Sequence, residues 1–140
     1  GIKKPLNFAY PGYDLSRAAI DVLKEQGYKF ARAGGSRAYD PLNDHPLLVP
    51  SWAILADNKS EIMEALKEAK NGKIVILTIH GVPDVEHPWV NTPPALFEEY
   101  LLYLSKHNYK VGTIKDLNDY IDVRQAMKTI EPDLTKRLKN

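Results

Sequence analysis

The chain has 140 residues, 44% of them apolar and 26% charged, which suits one globular domain with a core of its own. Its 19 Lys and Arg nearly balance 18 Asp and Glu, and a formal net charge of +1 excludes an electrostatic case for nucleic acid or an anionic membrane as partner. With no cysteine there are no disulfides and no thiolate metal site, and no apolar run approaches the roughly 20 residues of a membrane helix.

In chain order, strand and helix patterns alternate. Leu6-Asn7-Phe8-Ala9-Tyr10 reads as a short strand, stopped by Pro11-Gly12. Asp14 reads as a helix cap, and Leu15, Ala18, Ala19, Val22 and Leu23 fall at helical spacing, which predicts a helix over 15–26 closed by Gly27. Tyr28-Lys29-Phe30-Ala31-Arg32-Ala33 is a second strand before Gly34-Gly35. The stretch 36–50 carries prolines, Asp and Asn and reads as a long loop, of the kind that is usually functional or disordered, ending in a possible strand at Leu47-Leu48-Val49. Asn58 or Ser60 caps a helix with Ile62, Ala65, Leu66 and Ala69 on one face, closed by Asn71-Gly72.

Residues 74–79 form an uninterrupted run, Ile-Val-Ile-Leu-Thr-Ile, that ends in His80 and then breaks at Gly81-Val82-Pro83. A parallel strand covered on both faces has this look. A histidine at such an end either does chemistry or merely bonds a loop carbonyl, and position alone leaves both open. After a loop containing His87-Pro88-Trp89, Thr92-Pro93-Pro94 starts a helix with Leu96, Phe97, Tyr100, Leu101 and Leu104 as its apolar stripe. Tyr109-Lys110-Val111-Gly112 reads as a short strand, Thr113 and Asp116 as a near capping box, and Leu117, Tyr120 and Ile121 as part of a last helix. From Glu131 to residue 140 the chain reads as tail, with Lys136-Arg137-Leu138-Lys139 solvated. The leading Gly1 reads as a trimmed or engineered start.

The alternation predicts an α/β fold with parallel strands and outer helices. Right-handed crossovers keep the loops after Tyr10, Arg32 and His80 on one rim, the candidate site.

Phe8-Ala9-Tyr10-Pro11-Gly12-Tyr13-Asp14 resembles the third motif of the polysaccharide deacetylases, the NodB-homology family of carbohydrate esterases. Gly27-Tyr28 and Ala31-Arg32 follow at that family's spacing, and Leu77-Thr78-Ile79-His80-Gly81-Val82 resembles its late strand, which ends in the catalytic histidine. Thr92-Pro93, then Phe97, Leu104, Tyr109, Val111 and Leu117, resemble its closing helix, strand and helix, so the resemblance covers roughly residues 5–121.

The resemblance implies a partial (β/α) barrel in a single domain spanning 1–140. It implies a hydrolase that removes N- or O-acetyl groups from a carbohydrate with a divalent metal, usually zinc. His80 would be the general acid. Many bacterial members of the family act outside the cytoplasm. The family's first two motifs, which supply the base Asp and the metal-binding Asp and two His, lie upstream of the third, where this chain begins. The chain is therefore expected to correspond to the C-terminal part of the domain, with no metal ligand of its own and no activity alone.

The third motif's usual arginine falls at Ala9, so Arg32 at the end of the next strand is the candidate guanidinium, or else a surface strand-end arginine. Thr78 replaces the family's Leu two residues before the histidine. Asp40 or Asp44 is a candidate to orient His80. Substrate contacts are assigned to Tyr10, Pro11, Arg32, Trp52 and Trp89; with Tyr13, the aromatic residues among them suit stacking on sugar faces. His80 and His87, with Asp84 and Glu86 between, offer donors that suit zinc, but their spacing matches no compact motif. His45 and His107 read as surface residues, no serine sits in a nucleophile elbow, and Gly34-Gly35 is not a phosphate loop. The alternative is a non-catalytic relative that binds a glycan. An unpaired parallel edge is a liability for a monomer, so self-association or pairing with a missing N-terminal half is expected.

Overall fold

The computed structural model describes Gly1 and residues 3–137. It is a mixed α/β fold with short parallel strands. In chain order it contains β1 (Asn7–Ala9), α1 (Arg17–Glu25), β2 (Phe30–Arg32), β3 (Trp52–Ala53), α2 (Lys59–Leu66), β4 (Leu77–Thr78), α3 (Pro94–Lys106) and α4 (Val123–Thr129), joined by loops and short 3-10 turns. No described helix is long and apolar enough to cross a membrane.

β1 runs parallel to β2 with Asn7 opposite Phe30 and Ala9 opposite Arg32. β3 runs parallel to β4 with Trp52 opposite Leu77. The stretch 49–54 links the two pairs. On one side Val49 N–H donates to the Ala31 carbonyl (2.9 Å) and Ala33 N–H to the Val49 carbonyl (2.7 Å). On the other, Trp52 N–H donates to Ile76 and Ile54 N–H to Thr78, both at 2.9 Å. Parallel pairing throughout brings the residues that follow β1, β2, β3 and β4 to one end.

The core follows from the apolar spacing. Ile20 and Leu23 of α1 pack with Tyr10, Leu15, Ala31, Leu47 and Leu48. Ile62 and Ala65 of α2 pack with Trp52, Ile54, Leu96 and Tyr100. Phe30, Tyr39, Val49, Leu117 and Ile121 form the third cluster.

α1 starts two residues later than the sequence pattern suggests. Pro11–Tyr13 makes a 3-10 turn with Gly12 at φ 58°, so Asp14 N–H is used on the Pro11 carbonyl. Ser16 takes the cap instead, accepting from Ala19 N–H at 3.2 Å, a contribution of about 1 kcal/mol. At the other end Gly27, at φ 77°, donates to the Lys24 carbonyl and Tyr28 N–H to the Leu23 carbonyl. That is the Schellman closure, and it needs a residue at ease with positive φ.

Contacts distant in sequence reshape what the local pattern suggests. The stretch 36–50 is loop for most of its length, as its composition predicts, but it is packed into the core: Tyr39, Asp44, His45, Leu47 and Val49 are buried. Tyr39 exchanges backbone hydrogen bonds with Ile74, and Pro46–Leu48 is a 3-10 turn, so only Val49 of the expected 47–49 strand is paired. The stretch after Glu131 is not loose tail. Leu134 packs on the α1 cluster, and Lys136 Nζ donates to Asp44 Oδ1 (3.1 Å) and the Asn43 carbonyl (2.9 Å). Residues 138–140, including the rest of the basic run, lie outside the described residues. Tyr109–Gly112 forms no strand, because no described strand edge pairs with it; Val111 is exposed. The Thr113–Asp116 capping box does form, on the 3-10 helix Ile114–Asp119 rather than on an α-helix.

His45 is buried too, contrary to the sequence reading. Its Nδ1 accepts the Leu47 N–H at 3.1 Å, which requires the unprotonated nitrogen. Burial, with Lys24 nearby, pushes its pKa down from 6.5 to about 4. The unfolded chain takes up a proton below about pH 6.5 while the folded chain resists until about 4. Acidification across that window therefore favours unfolding, by up to about 3 kcal/mol. Urea unfolding at several pH values should show stability rising with pH between these limits. His45→Asn, which keeps an acceptor in place but does not titrate, should flatten that slope. An unchanged slope would mean that other groups produce it.

Candidate functional site

β4 carries the chain to Ile79 and His80 at the end where the other parallel strands also finish. The loop that follows returns to its own start. Gly81 bridges Asn91, and Thr92 N–H donates to the Gly81 carbonyl at 3.2 Å. Thr92 is fully buried, with its hydroxyl donating to the Ile54 carbonyl at 3.2 Å, so the neck of the loop is tied to the end of β3.

Asp84 sits at the centre of this loop. Its N–H donates to Asn91 Oδ1 at 2.8 Å, which fixes the backbone. Its Oδ1 accepts the His87 N–H (2.9 Å) and contacts His87 Nδ1 (3.1 Å). Its Oδ2 is hydrogen-bonded to His80 Nδ1. The Asp84 side chain is only 10% exposed, while His80 and His87 are 55% and 48% exposed. Gly81 makes this packing possible, since a Cβ there would lie 2.9 Å from Asp84 Cβ. The His80 hydrogen bond, working against desolvation, and the two contacts from His87 hold the Asp84 carboxyl below its usual range. An ionised carboxylate accepts, so the imidazole bonded to it carries its proton on Nδ1 and keeps Nε2 for exchange with a substrate. The two imidazole rings meet edge to face at 5.0 Å between centroids, and Trp89, 70% exposed, stands edge-on to His87 at 5.5 Å.

The carboxylate on His80 is therefore Asp84, and the sequence candidates are engaged elsewhere. Asp44 pairs with Arg37 and Lys136, and Asp40 accepts from Leu42 N–H and the Asn43 amide. The signal for Asp84 was present in the sequence as His80-x3-Asp84-x2-His87. Its force comes from the closed loop neck, which the local pattern does not reveal.

The other expected site residues divide. Tyr10 is buried, with its hydroxyl donating to the Leu47 carbonyl at 3.0 Å and its pKa pushed up to about 12 by burial. Pro11 is exposed at the start of the turn after β1. Arg32, half-buried at the end of β2, lies over the Tyr13 ring at 5.2 Å, and its Nη1 is buried without a hydrogen-bond partner. Trp52 is taken up in the core with Ile54 and Tyr100. Thr78 donates its hydroxyl to Ser51 Oγ at 3.2 Å. The structure thus groups His80 with Asp84, His87 and Trp89, and separately Arg32 with Tyr13. Among the described residues no hydrogen bond or ring contact joins the two groups.

His80, Asp84 and His87 each bring one donor atom to within 4.8 Å of the other two, so they form a candidate metal-holding group. They are not the ligand set implied by the deacetylase resemblance, which belongs to that family's first two motifs. In this set His80, the acid that the resemblance implies, would itself be a ligand. The residues present therefore do not fit that family's metal. Comparison with protein-family models, with curated proteins and with solved structures finds no significant match.

Proposed function

We propose that this chain is the proton-donating part of a hydrolase that removes acetyl groups from a carbohydrate. The observation that carries the reading is the Asp84–His80 pair at the end of β4. As the acetyl C–N or C–O bond breaks, His80 Nε2–H gives its proton to the departing nitrogen or oxygen. Asp84 bonds to Nδ1 and fixes the orientation of the ring, leaving Nε2 as the nitrogen that acts. The exposed Trp89 gives a flat apolar face beside the pair on which a sugar ring can lie. Arg32 and Tyr13, at the ends of neighbouring strands, are proposed to contact a longer saccharide.

In this reading the short parallel strands are part of an incomplete (β/α) barrel of the polysaccharide deacetylase type. A complete domain would take a divalent metal, zinc by the resemblance, on ligands contributed by a half these 140 residues do not match. Two features favour pairing with such a half. Residues 74–78 are an apolar run only half-buried, and Ile79 is exposed. β1 and β4 each pair with one described strand only, which leaves an open edge at either side.

The test is acetate release from acetylated chito-oligosaccharides. The chain alone should release none. The chain produced together with the segment carrying the first two motifs, loaded with zinc to one ion per assembly, should release acetate. A folded, zinc-loaded assembly that releases no acetate from N- or O-acetylated saccharides would overturn the reading.

A further inference from the structure

We propose that His80, Asp84 and His87 form a binding site of their own for a first-row divalent transition ion of the zinc class. Three donors come from one short loop whose neck is already closed by the Gly81–Asn91 bridge and the Thr92–Gly81 hydrogen bond. The entropy of bringing these donors together is thus already spent in folding the loop. Their donor atoms lie within 4.8 Å of one another. In a tetrahedral site with metal–ligand distances of about 2.0–2.2 Å, ligand atoms are separated by roughly 3.3–3.5 Å.

The donor chemistry selects the ion. Two imidazole nitrogens and one carboxylate oxygen suit zinc, copper, nickel and cobalt, whereas magnesium and calcium prefer all-oxygen sets. A support around the ligands exists as well: Asn91 Oδ1 anchors the Asp84 backbone, and Gly81 lets the loop close against the Asp84 side chain. Three protein ligands and an exposed outer side leave a fourth position for water or a ligand atom.

An ion here ties up the His80 ring. Occupancy therefore stops His80 from donating a proton, which makes the site inhibitory for the reaction proposed above. Only that consequence rests on the hydrolase reading; the binding itself does not.

The experiment is calorimetric titration of the folded, tag-free 140-residue chain with zinc chloride, with cobalt(II) absorption as a second readout. One ion per chain is expected, with visible bands of four-coordinate cobalt and no displacement by excess magnesium. His87→Ala and Asp84→Asn should each weaken binding at least about tenfold, and Asn91→Ala about tenfold through the support of Asp84. His107→Ala, which removes a histidine just past the end of α3 bonded to the Tyr103 carbonyl, should change nothing. Circular dichroism of each variant separates lost binding from lost folding. A folded chain that takes up no zinc overturns the proposal, as does an affinity unchanged by His87→Ala. Failed zinc binding with intact acetate release removes this inference alone. Zinc binding with acetate release indifferent to His80→Gln removes the hydrolase reading alone.

Discussion

His80→Gln should lower kcat for the proposed acetate release by about 10²–10⁴-fold in the proposed metal-loaded assembly, with KM little changed. Glutamine keeps a polar group within reach of the Asp84 carboxylate, so the loop retains its anchor. It cannot deliver a proton to a leaving nitrogen or oxygen. The loss therefore falls on the transition state and not on binding. Steady-state kinetics with circular dichroism on the same preparation checks both parts. Turnover within a few-fold of the unsubstituted protein would remove His80 as the acid.

Asp44→Ala should destabilise the fold by about 3–5 kcal/mol, with a fall in Tm on the order of 10 °C or more. The Asp44 side chain is 2% exposed and accepts from Arg37 Nη1 at 2.6 Å, Asp40 N–H at 2.8 Å and Lys136 Nζ at 3.1 Å. Burial alone would push its pKa up. The hydrogen bonds from Arg37, Asp40 and Lys136 outweigh it and hold the carboxyl below its ordinary value. Alanine leaves the Arg37 guanidinium, which is mostly buried, without its counter-charge. Lys136→Ala is the control. That ammonium is more exposed, and its removal should cost about 1 kcal/mol or less. Comparable losses for the two variants in thermal or urea unfolding would show that the buried carboxylate is not the keystone of this network. Because the Asp44 pKa is lowered, its stabilisation is present above the unfolded value of 3.8 and is lost as the pH falls through the folded value. It adds to the His45 effect at the acid end of the profile.

What the sequence made legible was local. The stop at Gly27 and the Thr113–Asp116 box are set by neighbours a few residues away, and the structure shows both; of the apolar stripe expected on the first helix, Leu15 and Leu23 are buried, while Val22 is exposed and Ile20, outside that stripe, fills the core. The parallel pairing of the strands at Phe8, Ala31 and Leu77 agrees with the alternation of elements, although the strand between them lies at Trp52–Ala53 and not at 47–49. What escaped was set at long range. Prolines and aspartates in 36–50 read as a long functional or disordered loop, because nothing nearby announces that Tyr39 pairs with Ile74 or that Lys136 reaches Asp44. His45 read as exposed for the same reason. The run 74–79 read as a strand covered on both faces, whereas in this chain it is only half covered. At the site, His80 stood out by its place after an apolar run. Asp84 did not, because its role depends on Asn91 and Gly81 closing the loop around it.

The most direct test of the central claim is a double-mutant cycle on kcat with His80→Gln, Asp84→Asn and the pair together. If Asp84 acts through His80, Asp84→Asn alone lowers kcat, and adding it to His80→Gln costs nothing further. Losses that simply add, or an Asp84→Asn variant with full kcat, would contradict the account, since the two side chains would then not work as one proton-transfer unit.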